Sequence, residues 1–385
     1  MSVVIESGVV KPKTYASLVG VRDLLLTEHD DLAEMAALAG WNDLEELVID
    51  YEMQSELGDL TGMEELTDMT PLAGLTRLKT LDLCRCEKLT DLAPLAGLTS
   101  LETLYLTGCE SVSDLTPLAG LTRLKELHLD YCENISDLAP LAGLTSLKKL
   151  SLDGCKKVGD LSPLAGLTAL KDLNLDGCEE MNYLSPLAGL TALKTLALAG
   201  CGDLTVLAGL PALAKLELRG RKNLRGLAAL SGLKPLAGLT GLKKLELNSC
   251  EKVGYLAPLT GLTGLKSLDL VRCEKLRGLS LAGLPSLEKL DMKDCKHLSS
   301  LSLAGLTGLE RLGLHGCVRL RGLSLTGLTN LKTLDLRGCG NLSDISALAG
   351  LTELEYLDLI GCKKVNDLSA LAGLVNMAEL YLPSY

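Results

Sequence analysis

The apolar positions of this chain recur at a fixed spacing. One stretch reads Leu101-x-x-Leu104-x-Leu106-x-x-Cys109, then Val112, then Asp114-Leu115-x-Pro117-Leu118-x-Gly120-Leu121. The same unit starts at Leu78, Leu124, Leu147, Leu170 and Leu193, so that each step is 23 residues. It resumes at Leu242 and Leu265, steps by 22 through Leu287, Leu309 and Leu331, and by 23 through Leu354 to Met377. Outlying starts at Leu44 and Leu213 bring the number of copies to fifteen.

The chemistry of one unit predicts its shape. In L-x-x-L-x-L the second and third apolar residues are two apart, so they share one face of a short strand while their neighbours are presented to solvent. The D-L-x-P-L-A-G-L stretch reverses the chain, because Asp caps turns, Pro fixes φ and Gly tolerates the reversal. One unit cannot bury its own leucines, so copies must stack, with their strands forming a parallel sheet at about 4.8 Å spacing.

Three stretches depart from the period. Residues 1–40 lack it and read as a helical N-terminal cap, with Leu24-Leu25-Leu26, Thr27 as N-cap and Gly40 as the stop. The cap covers the first leucines of a solenoid spanning 41–385. Irregular units fall at 51–72, an acidic insertion interleaved with Met53, Met63 and Met69, and at 199–239, where Arg221 takes the cysteine position. Arg219, Arg221, Lys222 and Arg225 there form a candidate basic site for phosphate or an acidic peptide, set against simple drift of the repeat.

These residues resemble the leucine-rich-repeat family over about 41–383. The L-x-D-L-x-P-L-A-G-L-T segment is similar to internalin-like repeats. The cysteine after the strand, with one more residue before the next Leu, is closer to cysteine-containing and plant-resistance-type repeats. The resemblance implies an α/β leucine-rich-repeat solenoid, a horseshoe with a parallel β-sheet on its concave face and short turns or 3-10 segments on its convex face. It also implies that the concave sheet binds protein ligands.

Composition agrees with a repeated aliphatic core: the 385 residues include no Phe, one Trp (Trp41) and nine Tyr. Charge is segregated. Residues 1–192 hold 14 Lys and Arg against 32 Asp and Glu, whereas 193–385 hold 24 against 17. Twelve of the 13 cysteines sit three residues after the last apolar residue of a strand, Cys84 being the exception. One per repeat, they read as small buried residues whose S–H groups face loop carbonyls, not as metal ligands, which cluster at closer spacing. Cys84, on the presented face, is the thiol expected to be reactive.

The candidate partner-binding residues lie between the leucines of the acidic half: Tyr105, Glu126, His128, Asp130, Tyr131, Asp153, Asp172 and Asp176. Tyr105 and His128 hold one slot in adjacent repeats and should stand side by side. No zinc-protease, phosphate-loop or nucleophile-elbow motif occurs, so no catalysis, metal or cofactor is expected. No apolar run reaches membrane-spanning length, and an acidic pI of about 5.0 disfavours nucleic acid. The N-terminus shows no secretory signal, which predicts reduced thiols and a cytoplasmic protein. The expected function is recognition of another protein, with a structural subunit of an assembly or a regulatory or inhibitory subunit of an enzyme as alternatives. The last repeat, with no cap after it, is expected to favour self-association.

Overall fold

The computed structural model describes residues 2–5, 23–26, 44–49, 66–181, 183–199, 204–219, 236, 238–249, 259, 261–281 and 283–383. The chain divides into two compact units, Met1–Leu193 and Lys194–Tyr385.

The first unit carries eight strands: β1 Ser2–Ile5, β2 Asp23–Leu26, β3 Glu46–Ile49, β4 Thr80–Asp82, β5 Thr103–Tyr105, β6 Glu126–His128, β7 Lys149–Ser151 and β8 Asp172–Leu175. Each pairs in parallel with the next, and equivalent residues of successive repeats stand side by side. In the second unit β9 Thr195–Ala199, β10 Lys215–Arg219, β11 Lys244–Glu246, β12 Ser267–Asp269, β14 Lys289–Asp291, β16 Arg311–Gly313, β17 Thr333–Asp335, β18 Tyr356–Asp358 and β19 Glu379–Tyr381 continue in the same manner. All fifteen expected repeats thus supply a strand. The second and third apolar residues of each motif are the ones that point inward: Leu104, Leu106, Leu127 and Leu129 are completely buried. In β19 and just after it the outward and inward residues are both open to solvent, with Leu380 and Tyr381 at 42% and 42% exposure and the following Leu382 at 47%.

The helical reading of 1–40 fails at Leu24-Leu25-Leu26, which lie in β2. Ser2 pairs with Asp23 and Asp23 with Glu46, steps of 21 and 23 residues, so these segments act as further rungs of the ladder. A strand edge at β3 presents unpaired N–H and C=O groups, and satisfying them outweighs the weak helix preference of three leucines. The remainder of 14–40 lies outside the described residues, as do 51–65 of the acidic insertion.

Opposite the sheet, the Asp-Leu-x-Pro stretches form short 3-10 segments such as Ala93–Gly97, Thr116–Leu118 and Ser162–Gly166, each with proline in its first turn. The preceding aspartate fixes the entry. Asp114 accepts the Thr116 N–H at 2.8 Å, and Asp91, Asp137, Asp160, Asp344 and Asp367 repeat the bond at 2.8–2.9 Å. The 22-residue units have neither this Asp nor this Pro. There Gly278–Ser280 (β13) and Ser300–Ser302 (β15) pair in parallel as a second small sheet, which Ser324 extends by one bridge.

The cysteines form a second ladder inside each unit. Cys155 donates its S–H to the Leu129 carbonyl of the preceding repeat at 3.0 Å, and eight other cysteines make the equivalent bond at 3.1–3.3 Å. The carbonyl of a last strand leucine is thereby satisfied without water. All described cysteines are free thiols. Burial pushes Cys155 up to about 12 and Cys295 and Cys362 up to about 11, so these side chains stay protonated donors. Cys201 and Cys250 lie outside the described residues.

Candidate functional site

In the first unit, strand register places Asp82, Tyr105, His128, Ser151 and Asn174 in one column across the sheet. The Tyr105 and His128 rings stack, with centroids 4.6 Å apart and planes 24° from parallel. Such a pair contributes about 0.5–1.5 kcal/mol beyond its buried area. His128 is nearly covered, with 12% of its side chain exposed. Its Nδ1 lies 3.9 Å from Asp130 and its Nε2 3.9 Å from Glu126, beyond hydrogen-bonding distance. The buried Nε2 has no hydrogen-bond partner among the described residues.

Asp130 is the hub beside that ring. It accepts the Ser151 hydroxyl and the Asp153 N–H at 3.0 Å, with the Thr107 hydroxyl at 3.5 Å. Burial acts to raise its pKa, but His128, Ser151 and the Asp153 N–H together outweigh burial and hold the carboxyl below its ordinary value. Asp130, Asp153 and Asp176 follow one another at a single repeat position, because the chain's ladder continues past the strands: Gly108 N–H donates to Asp130 O, Tyr131 N–H to Asp153 O, and Gly154 N–H to Asp176 O. Three carboxylates on adjacent rungs repel one another.

Tyr131 sits where most repeats have glycine, immediately before the ladder cysteine. Its φ is +61°, beside glycines such as Gly108, Gly154 and Gly177 at +72° to +77° in the equivalent slot. A left-handed backbone costs a residue with a Cβ about 1–2 kcal/mol. The ring is 52% exposed, and its hydroxyl reaches toward Asp153 at 3.5 Å. The Asp153 charge, then burial, raises the Tyr131 pKa, and burial, then Glu126, raises that of Tyr105, so both phenols carry their protons at neutral pH. Gly154 makes this arrangement fit: a Cβ there would lie 2.7 Å from the Tyr131 ring.

The structure therefore gathers Tyr105, Glu126, His128, Asp130, Tyr131 and Asp153 on adjacent rungs, with Asp172 and Asp176 one rung beyond. It adds Thr107, Ser151 and Gly154, which sequence reasoning missed. Ser151 was legible, since it shares the L-x-L slot of Tyr105 and His128. Cys84 reverses its expected role. It is half-buried, and burial together with the Asp82 carboxylate pushes its pKa up to about 12, which starves it of thiolate. Of the basic candidates, Arg219 ends β10, whereas Arg221, Lys222 and Arg225 lie outside the described residues.

The family model "Leucine Rich repeats (2 copies)" matches residues 76–120, 122–166 and 329–373. An internalin, inlF of Listeria monocytogenes, is similar at 25% identity over 98% of this chain and 90% of its own, with a TM-score of 0.55. A leucine-rich-repeat protein of Leptospira interrogans shares the fold at 17% identity, 100% and 95% coverage and a TM-score of 0.69. So does TLR13, solved with a single-stranded RNA, at 21% identity, 99% and 58% coverage and a TM-score of 0.68. No curated protein matches at a significant level. The chain belongs to the leucine-rich-repeat proteins. That fold typically serves as a protein-interaction module.

Proposed function

We propose that the protein is a recognition module that grips a partner protein on the sheet face of its first unit, around Tyr105, His128 and Tyr131, and performs no catalysis. The observation that carries this reading is Tyr131. A large, half-exposed aromatic stands on the acidic face with its hydroxyl toward Asp153 and Gly154 leaving room for its ring, whereas the left-handed backbone of that slot is shared with Arg85, Ser249, Arg272 and Asp294. Stacked rings and two protonated phenols offer aromatic and hydrogen-bonding anchors. The flanking carboxylates select a partner with a basic surface and make the contact salt-sensitive. The same reading places the working protein in a reducing compartment such as the cytoplasm, since nine ladder bonds are donated by thiols.

The test joins stability to binding. A partner is captured from source lysate with the wild-type chain, and its dissociation constant is measured across a salt series. Replacing Tyr105 and Tyr131 together by Ala should weaken binding about tenfold or more, a loss of at least 1.4 kcal/mol. Tyr131→Gly should weaken binding while gaining about 1 kcal/mol of fold stability. Undiminished affinity in both variants would remove the site from this face.

A further inference from the structure

The sheet face of the second unit holds a column of carboxylates in register: Glu217, Glu246, Asp269, Asp291, then Asp335 and Asp358. One position in the run is empty of side chain. Gly313 stands between Asp291 and Asp335, and a Cβ built on it would lie 2.9 Å from the Asp291 carboxylate. Around this gap the face is hollowed into a recess of about 600 Å³, with Arg311, Lys289 and Tyr356 among its walls.

The charges lining the recess are unevenly satisfied. Asp291 has Lys293 at 3.6 Å and accepts its backbone N–H at 3.1 Å. Asp335 has His315 at 3.9 Å and accepts the Arg337 N–H at 3.1 Å. Lys289 and Arg311, by contrast, are exposed, directly adjacent across β14 and β16, and in no ion pair among the described residues. Two like charges on neighbouring rungs destabilise one another. Their juxtaposition at the rim of the one missing side chain is an arrangement that an incoming anion would relieve.

We infer that the Gly313 recess is a second binding site, which takes an acidic side chain from an extended segment of a partner protein. The Arg311 guanidinium supplies the paired donors that match a carboxylate, Lys289 adds a point charge beside it, and the space over Gly313 admits the side chain's stem. Asp291 and Asp335 set the selectivity. They tolerate a single carboxylate held between cations but repel a polyanion such as a phosphodiester backbone running along the column.

Fluorescence anisotropy at low salt tests the assignment. The probes are a fluorescein-labelled peptide alternating Glu with Gly and Ser, its Gln counterpart, and a labelled single-stranded oligonucleotide of equal charge. Binding of the Glu peptide over the Gln peptide is expected, and Lys289→Gln with Arg311→Gln should weaken it about tenfold, equivalent to 1.4 kcal/mol. Gly313→Asn, which fills the gap without adding charge, should do the same. The control pair Arg319→Gln with Arg321→Gln, exposed on the same unit, should leave binding unchanged. The Lys289/Arg311 variant should keep the wild-type thermal midpoint or exceed it, since it removes a repulsion. Stronger binding of the oligonucleotide, lost in the recess variants, would reassign the site to phosphate. Peptide affinity indifferent to both recess variants would eliminate the site.

Discussion

The 23-residue and 22-residue repeats present the same inner face and different backs. Around Thr116–Leu118 the chain turns through a 3-10 segment, entered by the Asp114 bond and by Pro117. Around Gly278–Ser280 and Ser300–Ser302 it stays extended and pairs as a small parallel sheet. The apolar positions flanking both are equally buried: Leu115 and Leu118 in one, Leu276 and Leu281 in the other. Burial of leucine sets where the chain must be, and the local turn chemistry sets its path. Asp and Pro organise a tight turn before any tertiary contact forms, whereas a Gly-Leu-Ser-Leu run has no such instruction and takes its hydrogen bonds from the neighbouring rung.

The comparison separates a shared interior from a variable back, and the largest effects should lie in the interior of both regions alike. Leu127→Ala on β6 and Leu312→Ala on β16 each remove a buried side chain and should cost about 2–5 kcal/mol, measured by denaturant unfolding. A cost several times smaller at one site would mean that the short repeats do not share the packing of the long ones. The thiol ladder also crosses the divide. Cys155→Ser and Cys317→Ser should each lose on the order of 1 kcal/mol while the fold is kept.

The smallest effect distinguishes the backs. Hydrogen bonds from Thr or Ser lower the pKa values of Asp68, Asp114, Asp160, Asp344 and Asp367. A depressed carboxyl stabilises the fold above its unfolded value of about 3.9, and that stability fades as pH falls through the lower folded value. Amide hydrogen exchange followed between pH 5 and pH 3 should therefore show the 3-10 turns loosening first. The β13–β15 back, which lacks these aspartates, should hold its protection over the same range. Equal loss in both would show that the Asp bonds do not maintain the turns.

The first-unit site was partly legible for the same reason that the fold was. A period of 23 residues in a parallel sheet puts equal positions side by side, so the Tyr105–His128 neighbourhood follows from counting. The stack itself, the Asp130 bonds to Ser151 and Asp153, and the unpartnered His128 Nε2 depend on rotamers that counting does not supply. At Tyr131 the sequence held a clue in plain view, a tyrosine in a glycine slot, whose meaning needs the exposure of its ring and the room that Gly154 leaves for it. The Gly313 recess was less legible. Glycine is common in this chain, and its significance arises only once Asp291 and Asp335 are seen flanking it on the sheet.

The sequence by itself determined the repeat, its fifteen strands, the inward leucines, the buried thiols of the described cysteine-bearing repeats and the turn wherever Asp and Pro coincide. Each of these rests on covalent spacing and on the free energy of hiding apolar surface, both of which are local and periodic. Tertiary structure alone decided the rest. It turned Leu24–Leu26 into a strand because an open sheet edge offered hydrogen bonds, and it made Gly278–Ser280 a strand because Ser300–Ser302 lay beside it. It also withdrew Cys84 from reactivity through burial beside Asp82, and left Lys289 and Arg311 side by side, in no ion pair among the described residues. Those outcomes depend on which groups from distant parts of the chain become neighbours, since hydrogen bonds and charges act over a few ångströms of space.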